Sequence, residues 1–155
     1  MITDLNTKLT EMQLSLPDAP APAANYVPFV RTGDLLFVSG QISQDADGRL
    51  ITGKLGVDVS VEDGAEAAQR CALSLLAQVG AALGGDFSRL KRVVKLTAFV
   101  NSSADFTEQP KVVNGCSDLL VALLGDAGRH ARSAVSAAAL PLNVAVEIEG
   151  IFEIS

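Results

Sequence analysis

Arg132 and Glu147 are the two residues of this sequence whose types best suit chemistry on a small molecule. Each falls in a predicted strand near the C-terminus, Arg132 in ARSAVSA and Glu147 in VEIE. An arginine on a strand is most often a surface or interface ion-pair partner, and Glu147 could be that partner, which is the first interpretation. The second is that they line a cleft in which a small molecule binds. The residue types alone leave both interpretations open.

Cysteine, serine and histidine chemistry has little support. Cys71 and Cys116 lie in apolar helical patterns without a CxxC spacing, so buried thiols are predicted. His130 is the single histidine and no ligand motif surrounds it, which favours a loop or interface role. Ser133 has no G-x-S-x-G elbow, and TGKLGVD lacks the Gly-Lys-Ser/Thr of a phosphate loop. We therefore expect no metal, nucleotide or other cofactor.

The charge balance disfavours nucleic acid as a partner. Twelve Lys and Arg residues against eighteen Asp and Glu residues give a formal net charge of −6, which repels a polyanion. The densest basic stretch, RLKRVVK at residues 89–95, contains no aromatic side chain on which a base could stack. A solvated entry to a strand is the simpler interpretation of these residues.

Length and composition predict one folded domain with an N-terminal extension. The chain has 155 residues, 48% hydrophobic and 19% charged, which suits one hydrophobic core. We place an N-terminal helix and Pro-rich linker at residues 1–25 and a single domain at residues 26–155. The opening MITDLNTKLT lacks the features of a signal peptide, and no apolar run approaches a membrane span. A cytoplasmic location without membrane contact is expected.

The first half of the chain alternates helix and strand signals. Spacings of three and four predict a helix that ends before Pro17, formed by Ile2, Leu5, Leu9, Met12 and Leu16. Two apolar runs, residues 26–30 and 35–39, predict a β-hairpin around Thr32-Gly33-Asp34. Ser60 and Asp63 resemble a capping box and open a long helix that lasts to Gly84-Gly85.

The second half of the chain supplies three further strands and a second long helix. Residues 92–100 predict a strand, and Pro110 suits the first turn of a second long helix that ends at Gly125. Two strands follow, at residues 131–137 and 144–154. In the last strand the even positions are mostly apolar, whereas the odd positions include Glu147. The sequence therefore predicts an α+β layer in which two helices cover one face of a sheet.

The other face of the predicted sheet has no helix to cover it. Its Ala, Thr, Phe and charged residues are too mixed for a second core within one chain, so we expect it to pack against other subunits. That arrangement would place Arg132 and Glu147 in a semi-enclosed cleft at an interface.

An ordered set of motifs resembles the Rid family of small imine deaminases, also called L-PSP endoribonucleases. The C-terminal region contains A-R-S-x-V, then L-P, then V-E-I-E, and Tyr26 precedes GDLLFVSGQIS. Asn114 also falls where the family commonly has an Asn in the second helix. The resemblance covers about residues 26–155, and the ARS…LP…VEIE spacing is its most specific part.

The resemblance implies a chorismate-mutase-like α+β fold, a homotrimer with a central barrel, and small-molecule clefts between subunits. It implies hydrolysis of reactive enamines and imines, such as 2-aminoacrylate, to 2-keto acids and ammonia. Arg132 would then hold the substrate carboxylate through two parallel hydrogen bonds, and Glu147 would position water and move protons. The same resemblance implies further substrate-binding residues, namely Tyr26, Ser39, Gly40 and Asn114.

Two departures from the family pattern indicate a divergent subgroup. Many members have Cys two residues after the arginine, where this chain has Ala134, so a mechanism that uses that thiol is excluded. The N-terminal extension and an insertion around Thr107–Pro110 exceed the compact family pattern. A non-catalytic carboxylate-binding or regulatory trimer is therefore an alternative function, and an endoribonuclease is a third that the charge disfavours.

Overall fold

The fold is described by a computed structural model that covers residues 4–155. Three α-helices and five β-strands follow one another along these residues: α1 (Leu5–Glu11), β1 (Phe29–Thr32), β2 (Leu35–Ile42), α2 (Val61–Ala82), β3 (Leu90–Asn101), α3 (Gln109–Leu124), β4 (Ala131–Ala137) and β5 (Val146–Ile154). The α+β class and the order of the main elements agree with the sequence-based prediction.

The strands form one mixed sheet in the order β1-β2-β5-β3-β4. Neighbouring strands are antiparallel except β3 and β4, which are parallel. Strand β4 is an edge strand because it is the last in this order. The register pairs Phe99 with Glu147 across β3 and β5, and Leu96 with Arg132 across β3 and β4. Because paired residues point to the same side of a sheet, this register decides which face each candidate site residue occupies.

Helices α2 and α3 cover one face of the sheet and form the core with it. Buried side chains of α2 and α3 join the even-numbered residues of β5, such as Ile148 and Phe152, in one hydrophobic cluster. The helix start predicted at Ser60 is confirmed, because its hydroxyl accepts the amide hydrogen of Asp63 at 3.1 Å. The two helices approach closely at Gly115, where any side chain would collide with the carbonyl group of Ala65.

The hairpin begins later than the sequence predicts. Strand β1 starts at Phe29, not at Tyr26, and Gly33 makes the turn with a φ of 59°. Pro28 explains the shift, since it has no amide hydrogen to donate to a ladder. Its carbonyl group still accepts the amide hydrogen of Ser39 at 2.9 Å, so the segment before β1 is held against β2 without extending the strand.

The N-terminal helix is shorter than predicted. It ends at Glu11 because Gln13 adopts a φ of 56°, and the amide groups of Gln13 and Leu14 donate to the carbonyl oxygens of Thr10 and Leu9. This pair of bonds is a Schellman ending. Leu5 and Leu9 are buried in the core as the spacing predicts, whereas Leu16 packs on it from an extended segment. The predicted helical residue Ile2 lies outside the described residues.

The second face of the sheet carries no helix among residues 4–155, as predicted. Its exposed apolar side chains come from three strands: Val30 of β1, Leu35 and Phe37 of β2, and Val135 of β4. In the same described part of the chain, no helix has the length and apolar character needed to cross a membrane. No group of three or more His, Cys, Asp or Glu side chains in that part is arranged to hold a metal ion.

Candidate functional site

Glu147 lies on the uncovered face of the sheet, at the start of β5. Its neighbours Val146 and Ile148 are buried toward the helices, so the alternation of β5 turns Glu147 the other way, as the sequence predicts. It pairs with Ile42 of β2 on one side and with Phe99 of β3 on the other. The side chain is half-buried, and both of its partners in the neighbouring strands are apolar.

Gly40 makes room for the carboxylate of Glu147. The pairing of β2 with β5 shifts register between Val38 and Gln41, and Gly40 lies within this irregularity. A Cβ atom on residue 40 would stand 3.0 Å from Cδ of Glu147 and would collide with its Oε1. Only glycine lets the carboxyl group lie directly against this backbone, so the predicted residues Gly40 and Glu147 are in contact.

The surroundings of Glu147 favour its protonated form. Burial, and to a lesser degree the negative charge of Glu149, raise the pKa of the Glu147 carboxyl group above its ordinary value. None of the three ion pairs found among residues 4–155 involves Glu147. A half-buried carboxyl group that forms no ion pair within the described residues is suited to proton transfer.

Arg132 lies on the opposite face of the sheet, beneath α3. Its partner in β3 is Leu96, which is fully buried toward the helices, so Arg132 also points toward the helix layer. The guanidinium group donates from Nη1 to Oγ of Ser117 at 3.0 Å and from Nη2 to the carbonyl oxygen of Pro110 at 3.2 Å. Pro110, at the end of the segment that the family resemblance suggests is an insertion, supplies one of the two contacts that hold Arg132.

The guanidinium group of Arg132 keeps donors available for a ligand. Arginine has five N–H hydrogens, and the two bonds to α3 use two of them, which leaves three. No carboxylate among residues 4–155 forms an ion pair with Arg132. The structural ion pair with Glu147, the first interpretation of the sequence, is therefore wrong within one chain.

The expectation that both residues lie on the uncovered face is correct for Glu147 and wrong for Arg132. The strand ARSAVSA has apolar residues at both odd and even positions, so its sequence does not identify the core side. Val135 suggests the odd positions, yet it is 45% exposed, whereas Ala134 packs on the core. One chain therefore carries two half-sites that are separated by the sheet.

The other predicted site residues divide between these half-sites. Asn114 is exposed on α3 between Pro110 and Ser117, which lie four residues before and three residues after it on the same helix face. Ser39 adjoins Gly40, but its hydroxyl group donates to the carbonyl oxygen of Val27 at 2.8 Å. Tyr26 is exposed, and its hydroxyl group accepts the amide hydrogen of Ala23 at 3.2 Å. Asn114 thus joins the Arg132 half, and Ser39 joins the Glu147 half.

Ser117 and His130 form hydrogen bonds behind Arg132 that the sequence does not predict. Oγ of Ser117 lies 2.9 Å from Nε2 of His130 while it contacts Arg132, and Nδ1 of His130 lies 2.6 Å from the carbonyl oxygen of Gly128. The spacing of Pro110, Asn114 and Ser117 already predicts one helix stripe. That this stripe faces β4 depends on tertiary packing, which the spacing does not reveal.

Comparison with known proteins identifies the family. Residues 16–154 match the family model described as Endoribonuclease L-PSP. Protein TCP17 of Trypanosoma cruzi is 49% identical, and the match covers 95% of this chain and 92% of that protein. The chloroplastic Reactive Intermediate Deaminase A of Arabidopsis thaliana is 35% identical over 89% of this chain and 63% of its own length.

Two solved structures have a similar fold. Protein Atu1372 of Agrobacterium tumefaciens, whose function is unknown, has a TM-score of 0.92 at 47% identity and covers 99% of this chain and 94% of its own. E. coli TdcF with bound serine has a TM-score of 0.61 at 25% identity and covers 89% and 94%. With the ARS…LP…VEIE motif, the fold and these matches in agreement, the chain belongs to the Rid family, also called the L-PSP endoribonuclease family.

Proposed function

We propose that this protein is a hydrolase that deaminates reactive enamines and imines of the 2-aminoacrylate type to 2-keto acids and ammonia. The observation that carries the proposal is that neither Arg132 nor Glu147 takes part in an ion pair among residues 4–155. A cation with free donors and a carboxyl group with a raised pKa are the two groups that such a reaction needs. The name of the Arabidopsis relative supports the same chemistry.

The working site forms between subunits of a homotrimer. Arg132 and Glu147 of one chain lie on opposite faces of its sheet, so one substrate cannot touch both. The exposed apolar side chains Val30, Phe37 and Val135 on the uncovered face favour association with other copies. In the proposed trimer, Arg132 and Asn114 of one subunit face Glu147, Gly40, Ser39 and Tyr26 of a neighbour across a cleft.

Arg132 binds the carboxylate of the substrate. The two bonds to α3 fix the plane of the guanidinium group, and the remaining N–H donors form two parallel hydrogen bonds to the carboxylate oxygens. A planar guanidinium group orients a carboxylate in a way that a lysine ammonium does not. The imine carbon, which is bonded directly to that carboxylate, is then held in one place relative to the neighbouring subunit.

Glu147 manages the protons of the reaction. In its ionised form it accepts a proton from water while the water oxygen bonds to the imine carbon and the electron pair of the C=N bond moves to nitrogen. That proton passes to nitrogen, which gives a carbinolamine. Glu147 then moves the hydroxyl proton of the carbinolamine to the same nitrogen, the C–N bond breaks with its electron pair on nitrogen, and ammonia leaves as the carbonyl group forms. One imine and one water thus give one keto acid and one ammonia, and no oxidant or metal takes part. A carboxyl group with a raised pKa suits both proton transfers.

A non-catalytic carboxylate-binding trimer is the second candidate. The serine bound to E. coli TdcF favours a site for a small carboxylate, and such a site needs Arg132 but not the proton transfers of Glu147. Endoribonuclease activity is disfavoured by the net charge of −6.

The test is a competition assay. An amino-acid-derived imine is generated in the presence of semicarbazide, and semicarbazone formation is followed with wild type, Arg132→Ala, Glu147→Gln and the control Glu62→Gln, which alters an exposed carboxylate at the start of α2. Wild type and the control should suppress the semicarbazone, and the first two variants should not. Equal traces for wild type and Arg132→Ala would refute deamination. Arg132-dependent binding of 2-ketobutyrate without any suppression would identify the binding trimer instead.

A further inference from the structure

A three-residue chain of hydrogen bonds lies behind Arg132. Oγ of Ser117 is 3.0 Å from Nη1 of Arg132 and 2.9 Å from Nε2 of His130, and Nδ1 of His130 is 2.6 Å from the carbonyl oxygen of Gly128. Ser117 comes from α3, Arg132 from β4, and His130 from the segment between them. The chain therefore ties the edge strand to the helix at the point where the guanidinium group is held.

The chemistry of the partners fixes the direction of each bond. The arginine only donates, so the Ser117 oxygen accepts from Arg132. The Gly128 carbonyl only accepts, so Nδ1 of His130 carries a hydrogen and donates to it. In the neutral imidazole Nε2 is then an acceptor, and it takes the hydroxyl hydrogen of Ser117. The neutral imidazole thus turns the lone pairs of Ser117 toward the guanidinium group.

We propose that Ser117 and His130 are positioning residues for Arg132, which set the plane in which its guanidinium group meets the substrate carboxylate. The proposal rests on the proposed function, because it gives the chain of bonds a role in binding that substrate. Neither residue touches the reacting atoms. Their effect acts through Arg132 and is expected mainly in KM, which reports carboxylate binding, and less in kcat.

The surroundings of His130 keep the chain of bonds in place at neutral pH. Burial lowers the pKa of the imidazole below its ordinary value, and the charge of Arg132 acts in the same direction, whereas the bond to Gly128 opposes both. A cavity of about 540 Å³ beside His130 is lined by two further cations, Arg92 and Arg129, and by the carboxylate of Glu153. Once protonated, His130 donates at Nε2 and no longer accepts the hydroxyl hydrogen of Ser117.

Kinetics of matched serine variants test the positioning role. Ser117→Ala should raise KM roughly tenfold, since it removes a hydrogen bond to a charged group, and Ser117→Thr should restore most of the loss because it keeps a hydroxyl group. Ser133→Ala removes the hydroxyl group next to Arg132 in sequence but on the opposite face, and should leave KM unchanged. An unchanged KM in Ser117→Ala, with Arg132→Ala inactive, would overturn the positioning role and leave the proposed function standing.

NMR of the imidazole tests the chain of bonds without any assay of activity. His130 is the single histidine, so one imidazole signal reports on it without assignment. Ligand-free wild type should show the Nδ1–H tautomer, Arg132→Ala should raise the pKa of His130, and 2-ketobutyrate should raise it in wild type by neutralising Arg132. Identical titrations in wild type, Ser117→Ala and Arg132→Ala would refute the chain of bonds whether or not the protein turns over imines. Absence of 2-ketobutyrate binding and of turnover in wild type would refute the positioning role together with the proposed function.

Discussion

The two half-sites differ in how each holds its functional side chain. Arg132 is fixed by the hydrogen bonds that it donates to α3, at 3.0 Å to Ser117 and 3.2 Å to Pro110. The position of Glu147 depends on close packing instead. Because Gly40 has no side chain, the carboxyl group of Glu147 can lie directly against the backbone of β2. The guanidinium half is thus oriented by polar contacts, whereas the carboxyl half is desolvated and keeps a raised pKa. Orientation suits a binding group, and desolvation suits a group that transfers protons.

The largest expected effect is the loss of proton transfer in Glu147→Gln. The amide keeps the shape of the side chain but takes no proton, so kcat should fall by about 10²–10⁴-fold with little change in KM. Steady-state competition kinetics measure both constants. If Glu147→Gln raised KM and left kcat unchanged, Glu147 would be a binding residue. The two half-sites would then no longer differ in function.

Arg132→Lys tests the binding half and should have a smaller effect. Lysine keeps the charge but lacks the planar pair of donors, so KM should rise roughly 10–100-fold while kcat falls less. Isothermal titration with 2-ketobutyrate should show a matching loss of affinity. Full activity in Arg132→Lys would mean that charge alone suffices and that orientation by α3 is unimportant.

Gly40→Ala tests whether the space at Gly40 positions the carboxyl group of Glu147. The added Cβ collides with the carboxyl group of Glu147, so the carboxyl group must move and the strand pair is strained, at a cost of roughly 1–3 kcal/mol in the free energy of unfolding. We expect kcat to fall roughly tenfold for a displaced base, with KM nearly unchanged. Gly33→Ala is no suitable control, since the φ of 59° there brings its own strain. Thr32→Ala is the better one, because it alters an exposed residue of β1 outside the candidate site.

The smallest effects concern the pH dependence of stability, where the two halves have opposite signs. The pKa of Glu147 is raised in the folded protein. Its contribution to the free energy of unfolding is therefore fully present below the unfolded-state pKa of about 4.5 and is lost as pH rises through the folded-state pKa. The pKa of His130 is lowered in the folded protein. Its contribution to the free energy of unfolding is therefore present above the unfolded-state pKa of about 6.5 and is lost as pH falls through the folded-state pKa. Urea unfolding from pH 4 to 8 at fixed protein concentration should show each trend disappear in Glu147→Gln and His130→Gln respectively.

The sequence predicts the layer structure well because periodicity and caps are local signals. The apolar alternation of residues 144–154 identifies the core side of β5, and Ser60 identifies the start of α2. The N-terminal helix is harder, since its end depends on Gln13 adopting a positive φ that no residue type there demands. Register is harder still, because the pairing of Arg132 with Leu96 arises from a contact between distant segments.

The sequence suggests candidate members of the site but not their arrangement. The ARS…LP…VEIE motif contains Arg132 and Glu147, and the SGQ segment near the N-terminal end of the resemblance contains Gly40. Their separation by the sheet follows from the register, and the role of Ser117 follows from the packing of α3 on β4. Neither is a property of local spacing, which explains why the sequence suggests an ion pair where the structure has two half-sites.

The central claim is that Arg132 and Glu147 of different subunits form one site, and mixed oligomers test it most directly. Arg132→Ala and Glu147→Gln chains are given different tags and co-expressed, and oligomers that carry both tags are isolated. In any mixed trimer one cleft of three joins an intact Arg132 to an intact Glu147, so such trimers should recover about one third of wild-type deaminase activity, although each parent is inactive. Activity no higher than that of the two parents would contradict the account.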